Sequence, residues 1–519
     1  MKLILPVVGL LLAGVGLAVE PHVSIWGFSE ANVESQLQLE EKLAEQLSPE
    51  KAREHLAFLT SKPHLAGSPR NFELAEYLRD RWKEYGLEEV ELVRYDVYLP
   101  YVSETLVEME APTRFKASLL EDPDPNVPGS DSVGLTFHGF SASVDVTTDV
   151  VYANSGNPED YDYLASKGID IRGKIALVRY SVPYSYRGFK ALTAERRGAA
   201  GILIYSDPAD DGFGKGETYP DGPWGPESHI QRGAITYDFF YPGDPLTPGF
   251  ASLPGAKRIP LGDSPQIPKI ASLPLSYRDA RPILENLRGP EAPRAWQGGL
   301  LFTYHLGPGP ATVHMKVVAD QETRPIWIVV GRIRGAERPD EVVILGNHRD
   351  AWVYGAVDPA SGTAAQLELA RALGGLARSG LRPKRTLVFA SWDAEEFSLT
   401  GSTEWGEQWA HQLKKNAVAY LNVDVAVSGP ELSVSAVPAL NRAIVEAARD
   451  TRDPETGRSL LKAWKESKES GPGEVVSGNV TATGKGLVGN RLGSGSDYTV
   501  FLNFLGIPIA NLSFNGPYG

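Results

Sequence analysis

After Thr323 the chain repeats one pattern, which restricts the possible fold more than any other feature of the sequence. Residues 341–348, EVVILGNH, are an apolar run; residues 386–392, TLVFASW, are a second; residues 419–425, AYLNVDV, are a third. Runs this short and this uniformly apolar fit strands covered on both faces. Between the first two, Ala365, Leu369, Leu373 and Leu376 recur on one helical face. Strand, helix, strand in this order predicts an α/β domain with a parallel sheet packed between helices. In such sheets ligands gather at the carboxyl ends of the strands.

Upstream, residues 72–85 place Leu74, Leu78, Trp82 and Tyr85 at helical spacing with Gly86 as the stop, and residues 90–99 read as a strand. From about residue 103 to 321 the texture changes. Short strands, clearest at 174–180 and 201–208, alternate with turns such as YPDGPWGP and YPGDPLTPG. This predicts a β-rich domain, 103–321, inserted into a domain formed by 20–102 and 322–519. A chain of 519 residues has room for two to three such units.

Residues 1–19 have the order of a secretory signal peptide: Lys2, then an uncharged run from Leu3 to Val19 that ends in small residues. Cleavage is expected near Ala18; an uncleaved N-terminal anchor is the alternative. Either outcome puts the rest of the chain outside the cytoplasm, secreted or periplasmic, with membrane attachment only through this segment. Cysteine is absent, so no disulfides form and any metal must be held by His, Asp and Glu. The net charge of −14 excludes the basic face of a nucleic-acid binder.

Four features fall at the ends of the predicted strands or in the loops beside them: His348 in GNHRD, Asp358 in GAVDPASG, Glu395 with Glu396 in DAEEF, and Asp424 in LNVDV. Singly, each has an ordinary explanation as a hydrogen-bonded histidine, a helix cap or solvated carboxylates. Together they fit zinc held by nitrogen and oxygen ligands, with Asp358 able to bridge two ions. His348 and Asp424 then hold one zinc and Glu396 the other. Asp350 is spaced to accept the second imidazole N–H. Successive side chains diverge along an extended chain, so only one of the pair points at a given metal and the other is left free to act as general base.

The segments GNHRDAWVYGAVDPASGTAA, TLVFASWDAEEFSLTGSTEW and YLNVDV resemble the co-catalytic zinc exopeptidases of the glutamate carboxypeptidase II and transferrin receptor family. PHLAGSPRN, GKIALVRY, YRGFKALTAERRGAAGILIYSDPAD, GDPLTPGF and RLGSGSDYTVFLNFLGIP extend the similarity from about residue 50 to the end. The resemblance implies a mixed, mainly parallel zinc-exopeptidase sheet with an inserted protease-associated domain. It implies His348 and Asp424 on one zinc, Asp358 as bridge, Glu396 on the second zinc and Glu395 as catalytic base. Glu404 and Glu407, with Thr247 and Phe250, sit where the family has a structural calcium; Arg187 matches the arginine that receives a substrate's terminal carboxylate.

Three departures accompany the match. NLSFNGPYG stops where the family pattern continues to a second-zinc histidine and a helical dimerisation domain, so the chain is expected to be incomplete, and a longer protein to be a homodimer. Ser433, Ser496, Asn511 and Ser513 fall near the family's arginine cluster for acidic side chains, so no preference for acidic peptides is expected. Ala234 replaces an asparagine that helps hold the terminal carboxylate. The expected activity is hydrolysis of short peptides by a zinc-bridging water, with carboxypeptidase action preferred over aminopeptidase action. The alternative is a non-catalytic receptor module, which would have lost the ligands retained here.

Overall fold

The three apolar runs become adjacent strands at the centre of a seven-stranded sheet. In the computed structural model, which describes residues 24–180, 186–470 and 486–516, strand Arg338–His348 lies between Arg385–Trp392 and Ala417–Asn422, parallel to both. Strand Ile509–Asn515 extends the parallel set. Glu88–Tyr98, Thr323–Ile333 and Glu431–Ala436 join antiparallel, so the sheet is mixed with a parallel centre. The segment read as a signal peptide or anchor lies outside the described residues. Among those residues no helix is long and apolar enough to cross a membrane.

Helix Pro69–Tyr85 starts where Ser68 Oγ accepts from Asn71 N and stops at Gly86, whose φ of 87° suits a residue without a Cβ. The predicted stripe of Leu74, Leu78, Trp82 and Tyr85 is buried. Trp82 reaches Phe389 of the central sheet at a ring-centroid distance of 6.1 Å.

Helix Ala360–Arg378 forms as expected, but its buried face is rotated from the predicted one. Leu376 is buried as expected, but Ala365 is exposed, and Leu369 and Leu373 are only partly buried. The buried face carries Ala360, Ala364, Leu367, Ala370 and Gly374. Small side chains let the helix approach closely: a Cβ on Gly374 would lie 2.2 Å from the Tyr85 carbonyl.

The chain leaves this sheet after Tyr98, joins a second seven-stranded sheet through Val102–Ala111, and returns through Thr312–Ala319 to Thr323. The inserted part is less purely β than expected. Its strands Val144–Tyr152, Ile175–Arg179, Gly201–Tyr205 and Ser272–Leu275 are parallel neighbours, accompanied by helices Pro158–Ser166, Arg187–Arg196 and Tyr277–Glu285.

Candidate metal centre

His348 is the last residue of its strand and is buried, with 1% of its surface exposed. Its backbone carbonyl accepts from Thr363 Oγ1 at 2.8 Å, and Asn347 Nδ2 donates to Thr363 Oγ1 at 2.9 Å, so the strand end is tied to the following helix. Asp358 immediately precedes the cap position of that helix, Pro359, where no side-chain capping bond forms. The ordinary reading of Asp358 as a helix cap is therefore excluded. Asp424 lies beyond the strand predicted to contain it, because pairing ends at Asn422 and the chain turns.

These three residues converge. His348 Nε2 is 2.9 Å from Asp424 Oδ1 and 3.2 Å from Asp358 Oδ1. One donor atom from each residue lies within 4.8 Å of the others. Tetrahedral zinc with ligands at about 2.0–2.2 Å sets its ligand atoms roughly 3.3–3.6 Å apart, so the donors fit one ion with small movements. Burial alone would lower the imidazole pKa, but the Asp424 and Glu395 charges outweigh it and hold His348 well above its usual value. Asp424 shows the reciprocal effect: burial opposes ionisation, and His348 with the Ser496 hydroxyl, 2.5 Å away, keeps the carboxyl below its ordinary range.

The glutamate pair sits differently from the extended geometry expected of it. Ala394, between Asp393 and Glu395, has φ of 60°, and Ser398 and Leu399 are also left-handed, so DAEEF is a tight turn. Such backbone costs about 1–2 kcal/mol per non-glycine residue and persists where neighbours hold it. Asp350 is the principal holder: its carboxylate accepts from Glu395 N at 3.1 Å and from Glu396 N at 3.2 Å. Its predicted role is corrected in one respect. The nearest acceptor for His348 Nδ1 is the Asp350 backbone carbonyl at 3.1 Å, with the carboxylate farther off at 3.5 Å. Asp350 thus aims the pair directly and braces the imidazole mainly through its backbone.

Glu395 is buried with Oε2 3.9 Å from His348 Nε2, and burial together with Asp424, Asp497 and Glu396 pushes its pKa well up. Glu396 accepts from Trp352 Nε1 at 2.7 Å and stands outside the three-residue donor cluster. Burial and the Asp358 charge raise it as well.

The sequence 329–517 matches Peptidase family M28, and 146–236 matches the PA domain. The chain is 42% identical over 466 residues to a probable glutamate carboxypeptidase of Arthroderma benhamiae, covering 86% of this chain and 60% of that protein. The chain belongs to peptidase family M28. It is 38% identical over 494 residues to mouse aminopeptidase NAALADL1, covering 90% of this chain and 64% of the relative. It therefore spans about three fifths of the length of the curated relatives it matches. The fold is that of the zinc aminopeptidase BSAP of Bacillus subtilis, with TM-score 0.51, 17% identity, and coverage of 90% and 85% of the two chains.

The other residues singled out in this M28 chain separate into two places. Arg187 lies on the Glu396 side, where the two charges act on each other. Glu404 and Glu407 are at a second location with Thr247. Glu404 is fully buried and accepts from Asp244 N at 2.8 Å and Ser252 N at 2.5 Å, which rules out a solvated helix face. Burial pushes the Glu407 pKa up to about 7. Among the described residues Glu407 Oε2 and Thr247 Oγ1 are buried without a hydrogen-bond partner, a pattern a bound cation would relieve. Phe250, by contrast, has an exposed side chain and can offer only its backbone.

Ser496 and Asn511 brace the centre: Asn422 Nδ2 donates to Ser496 Oγ and Asn511 Oδ1, both at 2.8 Å, and Ser496 holds Asp424. Ser433 and Ser513 pair across two strands at the sheet edge. Asp497 is a site residue that sequence reasoning missed. It is 1% exposed, and burial, only partly offset by His348 and the Ser402 hydroxyl, raises its pKa to about 8. The motif SGSDY before a short helix reads as a cap, yet Asp497 makes no capping bond.

Gly362 controls how closely the M28 helix lies against the Asp424 turn. A Cβ there would be 2.3 Å from the Val423 carbonyl and 2.4 Å from that of Asp424. Gly362→Ala should therefore displace Asp424 and weaken metal retention by about tenfold or more. Equilibrium dialysis of the variant against buffered zinc measures this; unchanged retention would remove the packing argument.

Proposed function

We propose that the protein is a zinc exopeptidase acting on short peptides, with Glu395 as general base. The observation that carries this reading is the convergence of His348, Asp358 and Asp424 beside the buried, backbone-anchored Glu395. In this reading His348 and Asp424 would hold one zinc ion and Glu396 a second, with Asp358 available to both. Zinc, when bound, acidifies a water and polarises the scissile carbonyl. Glu395 accepts the proton of the attacking water and returns it to the leaving amine. Trp352 and Asp350 keep Glu396 and Glu395 directed at different partners. A calcium at Glu404, Glu407 and Thr247 has a structural role in this reading, joining the inserted domain to the sheet.

Carboxypeptidase action is the first choice of direction. Arg187 makes one side-chain hydrogen bond among the described residues, from Nε to Tyr180, and leaves its terminal nitrogens for a free carboxylate. Aminopeptidase action is the second reading, supported by Ala234 standing where the family's carboxylate-holding asparagine is expected. A receptor module without catalysis is disfavoured by the presence of all five metal and base residues. Export through residues 1–19 and pairing of the longer protein into dimers belong to the same proposal.

N-acetylated and C-amidated versions of one dipeptide distinguish the two directions. Hydrolysis of the N-acetylated peptide alone supports carboxypeptidase action. Hydrolysis of the C-amidated peptide alone would replace it with aminopeptidase action.

A further inference from the structure

Arg187 needs more than its own charge to present a guanidinium to the cleft, and the surrounding backbone is shaped around it. The residue begins helix Arg187–Arg196, and its Nε donates to Tyr180 Oη at 3.2 Å. The guanidinium carbon lies 5.9 Å from the centre of the Tyr180 ring. Against the guanidinium stands Gly233, where a Cβ would lie 1.9 Å from Arg187 Nη1, 2.0 Å from Cζ and 2.5 Å from Nε. No side chain larger than hydrogen fits there while the arginine keeps its position.

The tyrosine is itself fixed from behind. Its hydroxyl lies 3.4 Å from His138 Nε2 and 3.4 Å from the Gln231 carbonyl. His138 is fully buried, and its Nδ1 is 2.7 Å from Ser272 Oγ. His138 and Gly233 face each other in the short parallel pair of His138–Gly139 with Gly233–Ala234. One small ladder therefore holds both the wall of the guanidinium seat and the support of its hydrogen-bond partner. Helix entry is pinned by the neighbouring contact, Tyr186 Oη donating to the Thr236 carbonyl at 2.9 Å.

We infer that Gly233 and Tyr180, backed by His138 and Ser272, are positioning residues that set the protein's preference for substrates with a free terminal carboxylate. The inference rests on the reading of Arg187 as the carboxylate receptor. A bidentate guanidinium–carboxylate pair requires both terminal nitrogens in one plane and one place, so an arginine free to swing loses discrimination before it loses charge. Tyr180 fixes the rotation of the guanidinium and Gly233 its depth.

The test compares an N-acetyl dipeptide acid with its C-terminal amide on the protein and on Tyr180→Phe, Gly233→Ala and Arg187→Met. Binding of an N-acetyl amino acid and its amide by calorimetry supplies a readout independent of turnover. Tyr180→Phe should raise KM for the acid and Kd for the N-acetyl amino acid about tenfold, the effect of losing one charge-assisted hydrogen bond. The change should appear in KM rather than kcat and not for the amides. Gly233→Ala should move the acid-to-amide ratio the same way, toward that of Arg187→Met. If Arg187→Met lowers the ratio while Tyr180→Phe leaves it intact, the seat is overturned and the arginine's role stands. If Arg187→Met leaves the ratio unchanged, both fall. Should Gly233→Ala fail to fold, Tyr180→Phe decides alone.

Discussion

Glu395→Gln is expected to lower kcat by about 10²- to 10⁴-fold, the usual worth of a positioned general base, while zinc content stays at its original level. The amide is nearly isosteric with the carboxylate. The backbone N–H of residue 395 keeps its bond to Asp350, and the turn that aims the side chain keeps its shape. What disappears is the ability to accept a proton. Glu396→Gln should do the opposite, because that side chain is held by Trp352 Nε1 and is proposed as a metal ligand. Its variant should lose metal first and turnover as a consequence. Metal analysis and steady-state kinetics on both variants check the division. Near-normal turnover by Glu395→Gln, or loss of its metal, would refute the assignment.

That division of labour was only partly legible in the sequence. His348, Asp358 and Asp424 could be located because His348 ends one strand and Asp424 shortly follows another, both legible as uninterrupted apolar runs, and parallel order brings such ends together. The aim of Glu395 and Glu396 could not be read the same way. It depends on left-handed backbone at Ala394, Ser398 and Leu399, held by a carboxylate 45 residues away in the chain.

Asp393, the first residue of DAEEF, is a structural anchor. It accepts from Asn71 Nδ2 at 2.5 Å and Trp327 N at 3.1 Å, with Arg349 at 3.4 Å. Nothing in local spacing separates it from its neighbours, since its partners come from three distant segments. The helix Ala360–Arg378 teaches a related lesson. Leucine spacing pointed to one face, while the need for close approach to the sheet and to Tyr85 selected the alanine and glycine face. Asp497 was hidden for a similar reason, because its burial is created by the fold and leaves no periodic signature.

Removing divalent metal should lower the thermal midpoint, and by more at higher pH. Without metal, Asp497 has its pKa raised to about 8, chiefly by burial, and Asp238 is raised by burial to about 6. In the unfolded chain both titrate near pH 4. The folded state thus binds more protons across this window, and their contribution is fully present below about pH 4 and lost as pH rises toward about 8. Metal acts in the reverse sense. Its ligands must be deprotonated, so affinity increases with pH, and a cation beside Asp424 also relieves the repulsion that Asp497 experiences from that residue. At a free metal concentration a hundred times Kd, binding adds about 2.7 kcal/mol of stability. Melting curves at about pH 5.5, 6.5 and 7.5, with and without chelator, should show a gap that widens with pH. A gap that narrows, or a midpoint indifferent to chelator, would mean that the His348, Asp358 and Asp424 cluster is not held together by an ion.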